Sequence, residues 1–337
     1  MEKDNIRLVQ LIHLQLGRKV AMVKEPSLLL LNHFGSVYEI ALEALDKQQG
    51  IEQITNDNVS TESLDYAAVY TGDSDWKLLP SFDHPVNPFA CMVSGTGLTH
   101  KNSALNRQAM HQAEEGKLTD SMQIYQWGVS LGHPQEGSIG VQPEWFYKGT
   151  GSILKGHGDY LEIPAYANDG GEEPEIAGIY VIDKNGHPRR IGFTPGNEFS
   201  DHVMEKKNYL YLAPSKLRNC SIGPEIAINA DFDDIHGEVS IERNQAIIWR
   251  ATINTGETNM SHSLQNLEHH HFKYPGHRVP YQAHVHFFGA DAFSFGNQVN
   301  LMEEDIMTVS WQGFGRPLRN KLTINRGEEL LIKVGSI

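Results

Sequence analysis

The stretch GGEEPEIAGIYVID, Gly170 to Asp183, places Glu172, Glu173 and Glu175 at the mouth of an apolar, β-branched run. Acids this close repel one another, and a strand leading into a core would strip water from some of them. In an extended chain residues two apart face the same way, so Glu173 and Glu175 project together and Glu172 projects opposite. Pro174 has no N–H for a ladder, which puts the pair at a strand start or edge. Downstream, GFTPGNEFSDHV carries Glu198 after a Gly-Asn turn, and APSKLRNCSIGPEI carries Lys216 ahead of a Gly-Pro turn. The spacing alone also suits a solvated strand mouth with its acids outward. If the acids converge, three carboxylates without thiolates make a hard oxygen site suited to Mg2+ or Mn2+, with water in the remaining positions. A chelating substrate needs such open positions.

Other residues that could do chemistry carry less. His284 and His286 flank Val285 in an apparent strand, and His-x-His on one face can bind zinc or iron. The sequence that follows, FFGADAF, offers no accompanying Glu, so the pair reads as hydrogen-bonded core or pocket histidines. The run EHHHF, Glu268 to Phe272, reads as a solvated loop. GTGSILKG lacks the features of a nucleotide loop. Cys220, with no evident base beside it, reads as a small core residue.

These groups must be held by elements, and the patterning supplies them. IRLVQLI, KVAMVK and SLLLLN read as short strands, followed by the helical spacing of SVYEIALEALDKQQG. The Pro-punctuated stretch 78–95 marks a change of texture, and the expected division is a small α+β domain over 1–85 and a catalytic domain over 86–337. Residues 101–132 read as amphipathic helix, suited to packing, a lid or a dimer contact. From 143 onward EIAGIYVID, EVSIE, QAIIWRATI, QAHVHFFG, DIMTVSW and EELLIKVG read as strands between Gly, Pro and Asn turns. Regular strand–helix alternation is missing, so the fold class is α+β, a mixed β-roll or sandwich.

Composition narrows the partners. The 337 residues carry a formal charge of -14, and no cluster of Lys and Arg suggests phosphate binding, which argues against nucleic acid. The two cysteines, Cys91 and Cys220, cannot form a disulfide framework or a four-thiolate site, as expected in a reducing compartment. No long apolar span or secretory h-region is visible, so a cytoplasmic protein with no membrane partner is expected.

The residues together resemble the fumarylacetoacetate hydrolase family. Glu173 and Glu175 match its Glu-x-Glu pair, Glu198 stands where an Asp usually supplies the third ligand, and Lys216 matches a lysine ahead of Gly-Pro. MVSGTGLTHKNSA resembles the segment bearing its catalytic histidine, here His100. PEWFYKGTGSIL resembles its Pro-x-x-Phe-x-Lys strand, with Glu144 and Lys148, and NLMEEDIMTVSWQGFGRPLRNKL resembles its closing strand. The likeness spans roughly 86–323. Three features depart from the hydrolases: Ser103 replaces the Glu that activates water, SDH (Ser200 to His202) replaces the usual segment with Arg-Asp, and FFGAD (287–291) replaces a Thr-Gly-Thr-Pro turn. These variants resemble the GguC-like sugar-acid branch.

That resemblance implies a homodimer and a metal-dependent dehydratase of a 2-keto-3-deoxy pentonate, in the L-arabinonate or D-xylonate series. Its product would be 2-oxoglutarate semialdehyde. Glu173, Glu175 and Glu198 would hold Mg2+ or Mn2+, which polarises the keto acid and acidifies C3. Lys216, its pKa lowered by the cation, would be the base; His100 would serve the leaving hydroxyl and Ser103 would leave water unactivated. Lys148 would contact the substrate carboxylate, with Glu144 a further acid/base group. An acylpyruvate or diketo-acid hydrolase and a non-catalytic sugar-acid binding protein are the alternatives.

Overall fold

In the computed structural model residues 5–110 and 118–337 are described. The first third runs β1 (Arg7–His13), β2 (Gly17–Lys24), β3 (Ser27–Leu31), α1 (Val37–Lys47), α2 (Ile51–Asp57), β4 (Val59–Asp65), α3 (Tyr66–Thr71) and β5 (Trp76–Leu78). Then come β6 (Cys91–Gly95), α4 (Lys101–Met110), α5 (Asp120–Leu131), β7 (Phe146–Thr150), β8 (Leu154–Lys155), β9 (Tyr160–Ile163), β10 (Pro174–Ile182) and β11 (Pro188–Asn197). The chain continues through α6 (His202–Lys207), α7 (Leu212–Ser215), β12 (Cys220–Ile222), β13 (Ile226–Ile228), β14 (Ile235–Arg243) and β15 (Ala246–Thr255). It finishes with α8 (Leu264–Phe272), β16 (Ala283–Phe287), β17 (Ile306–Trp311) and β18 (Leu318–Ile324).

Among the described residues these strands form a thirteen-stranded sheet, whose main path is β4-β3-β2-β1-β13-β11-β10-β16-β6-β7, and a five-stranded sheet, β15-β14-β17-β18-β9. The large sheet crosses position 85 through Arg7↔Ala227 and Leu8↔Ile226. Its two faces explain why every residue of β10 is buried. Ala177, Ile179 and Val181 pack with Val37 and Ile40 of α1 on one side. Ile176, Tyr180 and Ile182 pack with Val239, Val309, Trp311 and Leu318 of the smaller sheet on the other. Local chemistry sets the helix starts: Ser36 and Glu39 form a reciprocal capping box on α1, and Asp201 caps α6 through the N–H of Met204.

Three expectations change. EELLIKVG forms no strand, and Leu330, Leu331 and Ile332 are exposed: β propensity needs a sheet edge to act on, and beyond Asn325 this segment has none. EHHHF is the end of α8 rather than a solvated loop. Ser263 caps that helix, and His270 and His271 turn inward. The single helix over 101–132 is α4 and α5, the part of it at 111–117 lying outside the described residues.

Candidate active site

The acids meet because of a hairpin. Asp183 Oδ1 accepts from the N–H groups of Asn185 and His187, both at 2.9 Å, closing the β10–β11 turn. After a one-residue shift at Ile179/Tyr180 the register pairs Glu175 with Gly196 and Pro174 with Asn197. One step further the N–H of Glu198 donates to Glu173 O at 2.9 Å. One carboxylate oxygen from each of Glu173, Glu175 and Glu198 lies within 4.8 Å of the others, and all three side chains are buried. Glu175 Oε2 accepts from the N–H of Gly289 at 2.6 Å. Gly289 has φ +98°, and a Cβ there would run into Thr99 Oγ1, so glycine alone can present that donor.

Two buried lysines answer two of the acids. Lys216 Nζ donates to Glu173 Oε1 and Oε2 at 2.7 and 2.8 Å and to Glu198 Oε2 at 2.6 Å. Lys148 Nζ sits 2.5 Å from Glu198 Oε1 and donates to the carbonyls of Phe199 and Lys216 at 2.8 and 3.0 Å. Burial by itself would raise Glu173, but Lys216 and His202 outweigh it and hold the carboxyl well below the usual range. Burial, reinforced by repulsion from Glu198 and Glu173, pushes Glu175 well above it. Lys216 shifts opposite to expectation: burial pulls it down, yet Glu173 and Glu198 outweigh burial and hold the ammonium form.

Among the described residues Glu175 makes no ion pair, and burial beside Glu173 and Glu198 favours its neutral form, a cost that a bound cation would relieve. An all-oxygen donor set and convergent ligand atoms fit a hard divalent cation. The arrangement also answers why the acids are tolerated: each has an assigned partner. Glu172, on the opposite side of its strand, accepts from the N–H and Oγ of Ser294 at 2.5 and 2.8 Å.

The other predicted residues divide. Ser103 lines the cavity over the acids, together with Lys216. Glu144 lies behind that wall, not on the surface; Arg107 Nη1 donates to both its oxygens at 2.9 Å and the Tyr209 hydroxyl at 2.8 Å. Lys148 is likewise behind, its N–H groups turned to Glu198 and two carbonyls. His100 is buried away from the cavity wall, its ring nitrogens 2.9 Å from Thr99 Oγ1 and 3.1 Å from Thr255 Oγ1, and burial lowers its pKa to about 3. Thr99 Oγ1 also donates to Phe288 O at 2.7 Å, so His100 buttresses the turn that carries Gly289.

Sequence reasoning missed three ionisable side chains of the cavity: Arg107, Glu205 and His202. Arg107 stands four positions from Ser103 on α4, the spacing that puts two side chains on one helix face, and its Nε meets Glu205 Oε1 at 2.5 Å. His202 was legible only as a departure from the family pattern. His284 and His286 form no metal site among the described residues. His286 bonds Ser94 Oγ and Thr96 Oγ1 at 2.9 and 2.8 Å, and His284 Nδ1 lies 3.0 Å from His271 Nε2. No helix among the described residues is long and apolar enough to cross a membrane.

A two-sheet α+β fold with a buried, cation-ready carboxylate triad defines the class, and solved structures share the fold. A 2-keto-3-deoxy-D-arabinonate dehydratase complexed with magnesium and 2,5-dioxopentanoate matches at TM-score 0.69 and 17% identity, covering 95% of this chain and 100% of that one. No family model matches the chain. Two curated proteins are similar in sequence. A probable 2-keto-3-deoxyxylonate dehydratase of Haloferax volcanii is 32% identical over 121 residues, 34% of this chain and 40% of the relative. A 2-dehydro-3-deoxy-D-arabinonate dehydratase of Saccharolobus solfataricus is 29% identical over 122 residues, 35% of this chain and 40% of the relative. The matched stretch thus spans about 40% of these relatives' length. The resemblance to the sugar-acid dehydratase branch of the fumarylacetoacetate hydrolase family is borne out by these names and this fold.

Proposed function

We propose that this protein is a hydro-lyase that removes water from a 2-keto-3-deoxy pentonate, in the L-arabinonate or D-xylonate series, to give 2,5-dioxopentanoate. The observation that carries the reading is the convergence of Glu173, Glu175 and Glu198, with Glu175 left without an ion pair among the described residues. Those residues would hold Mg2+ or Mn2+, which when bound supplies Lewis-acid polarisation of a 2-keto acid. The similar dehydratases, and the neighbour solved with magnesium and 2,5-dioxopentanoate, support the substrate class.

The chain's own residues have the following parts. In the reaction a C3–H bond and the C4–O bond break, water leaves, and proton shifts along the conjugated chain turn the C5 carbinol into the aldehyde, with no external oxidant. Lys216 Nζ is the nitrogen on the cavity wall for the C3 proton, and it can take that proton only after releasing one of its own to Glu173 or Glu198. Arg107 and Ser103 face the same cavity and supply donors for the substrate's oxygens. Lys148 fixes Glu198, Glu144 fixes Arg107, and His100 fixes the Gly289 turn. Ser103, which cannot activate water as a carboxylate would, favours elimination over hydrolysis. The division into 1–85 and 86–337, a homodimer and a cytoplasmic location belong to the same proposal.

The test is incubation of the protein and Mg2+ with each 2-keto-3-deoxy pentonate, with the aldehyde product detected through an aldehyde dehydrogenase. Turnover is expected with at least one isomer, abolished by chelator and by Lys216→Ala. Efficient cleavage of acylpyruvates with both pentonates untouched would make the protein a hydrolase instead.

A further inference from the structure

His202 has no part in the reaction described above, yet it is 2% exposed and lies against the triad. Its Nε2 is 3.0 Å from Glu173 Oε1. An ionised carboxylate can only accept, so Nε2 carries the hydrogen. The other ring nitrogen, Nδ1, is buried and has no partner. A buried nitrogen left unmatched costs free energy, and a ring kept in that state is being held for the bond made by its other edge.

Three neighbours do the holding. Phe293 stacks on the imidazole, with centroids 4.8 Å apart and planes 16° apart, and Phe295 lies 5.0 Å away on a tilted plane. The Glu172–Ser294 bonds pin the segment that carries both rings. On the remaining edge is Gly171. A Cβ there would come inside contact distance of Nδ1 and 2.6 Å from Cε1. Gly171 is outside the left-handed region, so its backbone would accept alanine; the imidazole alone requires glycine. The stretch Gly171-Glu172-Glu173 therefore serves one device: room for the ring, an anchor for its aromatic clamp, and the carboxylate it orients.

We propose that His202 is a positioning residue that sets the rotamer of Glu173 for the divalent cation, with Gly171 as the gap that admits it. The inference rests on the proposed cation site. A donor behind a metal-ligating carboxylate restricts it to one orientation, here the one in which Oε2, shared with Lys216 in the metal-free site, is turned to the ion, and losing such a partner costs 10- to 100-fold in metal affinity.

The experiment is calorimetric titration of the metal-free protein with MgCl2, alongside its thermal unfolding without metal. Wild type is expected to bind one Mg2+, and His202→Phe, which keeps the aromatic stack but removes the donor, about tenfold or more weakly. His202→Gln, which restores an N–H near the Nε2 position, should recover affinity to within about threefold of wild type, a rescue that a purely structural ring would not show. Gly171→Ala should weaken Mg2+ binding like His202→Phe, and the two together should weaken it little further. If His202→Phe does not fold, Gly171→Ala and His202→Gln carry the same comparison. Wild-type binding with unchanged affinity in His202→Phe or Gly171→Ala overturns the inference alone. A wild type that takes up no Mg2+ overturns the cation site and the inference with it.

Discussion

Two buried polar clusters sit on adjacent strands of one sheet and have opposite characters. At the start of β10 and just past the end of β11, Glu173, Glu175 and Glu198 are charged or poised to be and faced by Lys148 and Lys216, and Glu173 and Glu175 line a cavity. On β16 and α8, His284, His286 and His271 are sealed and neutral, with burial pulling all three below the ordinary imidazole range. Both have a spacing that metal sites use, Glu-x-Glu and His-x-His, although the second reads in sequence as core or pocket histidines. The difference is where the bonds go. The imidazoles bond Ser94, Thr96 and one another, leave His284 Nε2 unpartnered and form no ligand group among the described residues, whereas the carboxylates converge on a common point where Glu175 has no ion pair. A buried cluster is a candidate ligand set when its free oxygens or nitrogens meet, and a packing solution when they do not.

The largest expected effect separates the acids within the first cluster. Glu175→Gln removes a ligand from the one carboxylate that has no ion pair, so metal-free stability should stay within about 1 kcal/mol while Mg2+ affinity falls by more than the 100-fold that outer partners cost. Glu198→Gln should also lose Mg2+, but it strips the counter-charge from two buried lysines and should cost about 3–5 kcal/mol besides. Urea denaturation with and without MgCl2 distinguishes the two variants. Equal stability loss in both would break the charge assignment.

The second cluster should respond the other way. His286→Phe leaves the Ser94 and Thr96 hydroxyls without the ring, an expected loss of about 1–3 kcal/mol for each group left unsatisfied, with Mg2+ affinity within twofold of wild type. A calorimetric titration showing lost metal binding in that variant would make the histidines part of the metal chemistry.

The smallest effect per group is in pH. Burial depresses His100, His284 and His286 to about 3, and His157 and His262 to about 4. Folded pKa values below the unfolded value mean that the unfolded chain binds more protons between them, so stability is full above pH ~6.5 and falls as pH drops toward 3. The imidazole share of the unfolding free energy should decline progressively from pH 7 through 6 to 5, against the opposite trend of the raised carboxyls of Glu175, Glu198 and Asp169. Replacing His157, remote from the cavity and stacked on Tyr70, with Gln should flatten that decline.

Much of this was legible. The triad could be read from Glu-x-Glu and strand periodicity, but Gly196 and Asn197, expected as a turn, are the last residues of β11, and the register that brings Glu198 beside Glu173 depends on an irregularity at Ile179/Tyr180 that no local pattern encodes. The burial of β10 followed from the apolar run beyond Glu175. Lys216 was recognisable as a site residue, but not the sign of its pKa shift, which depends on two carboxylates 2.6–2.8 Å away brought by other strands. His202 and Arg107 were missed as site members because each acts through tertiary partners that no local pattern encodes. EELLIKVG shows the converse: strand propensity was plain, but the neighbouring edge it needed was absent.

The central claim is that one divalent cation binds among the three glutamates. The most direct measurement is a crystal soaked in Mn2+ and recorded at the manganese absorption edge. A single anomalous peak about 2.0–2.4 Å from carboxylate oxygens of Glu173, Glu175 and Glu198, with Lys216 withdrawn from at least one of them, is the result predicted here. A peak on His271, His284 and His286, or none within the protein, would contradict it.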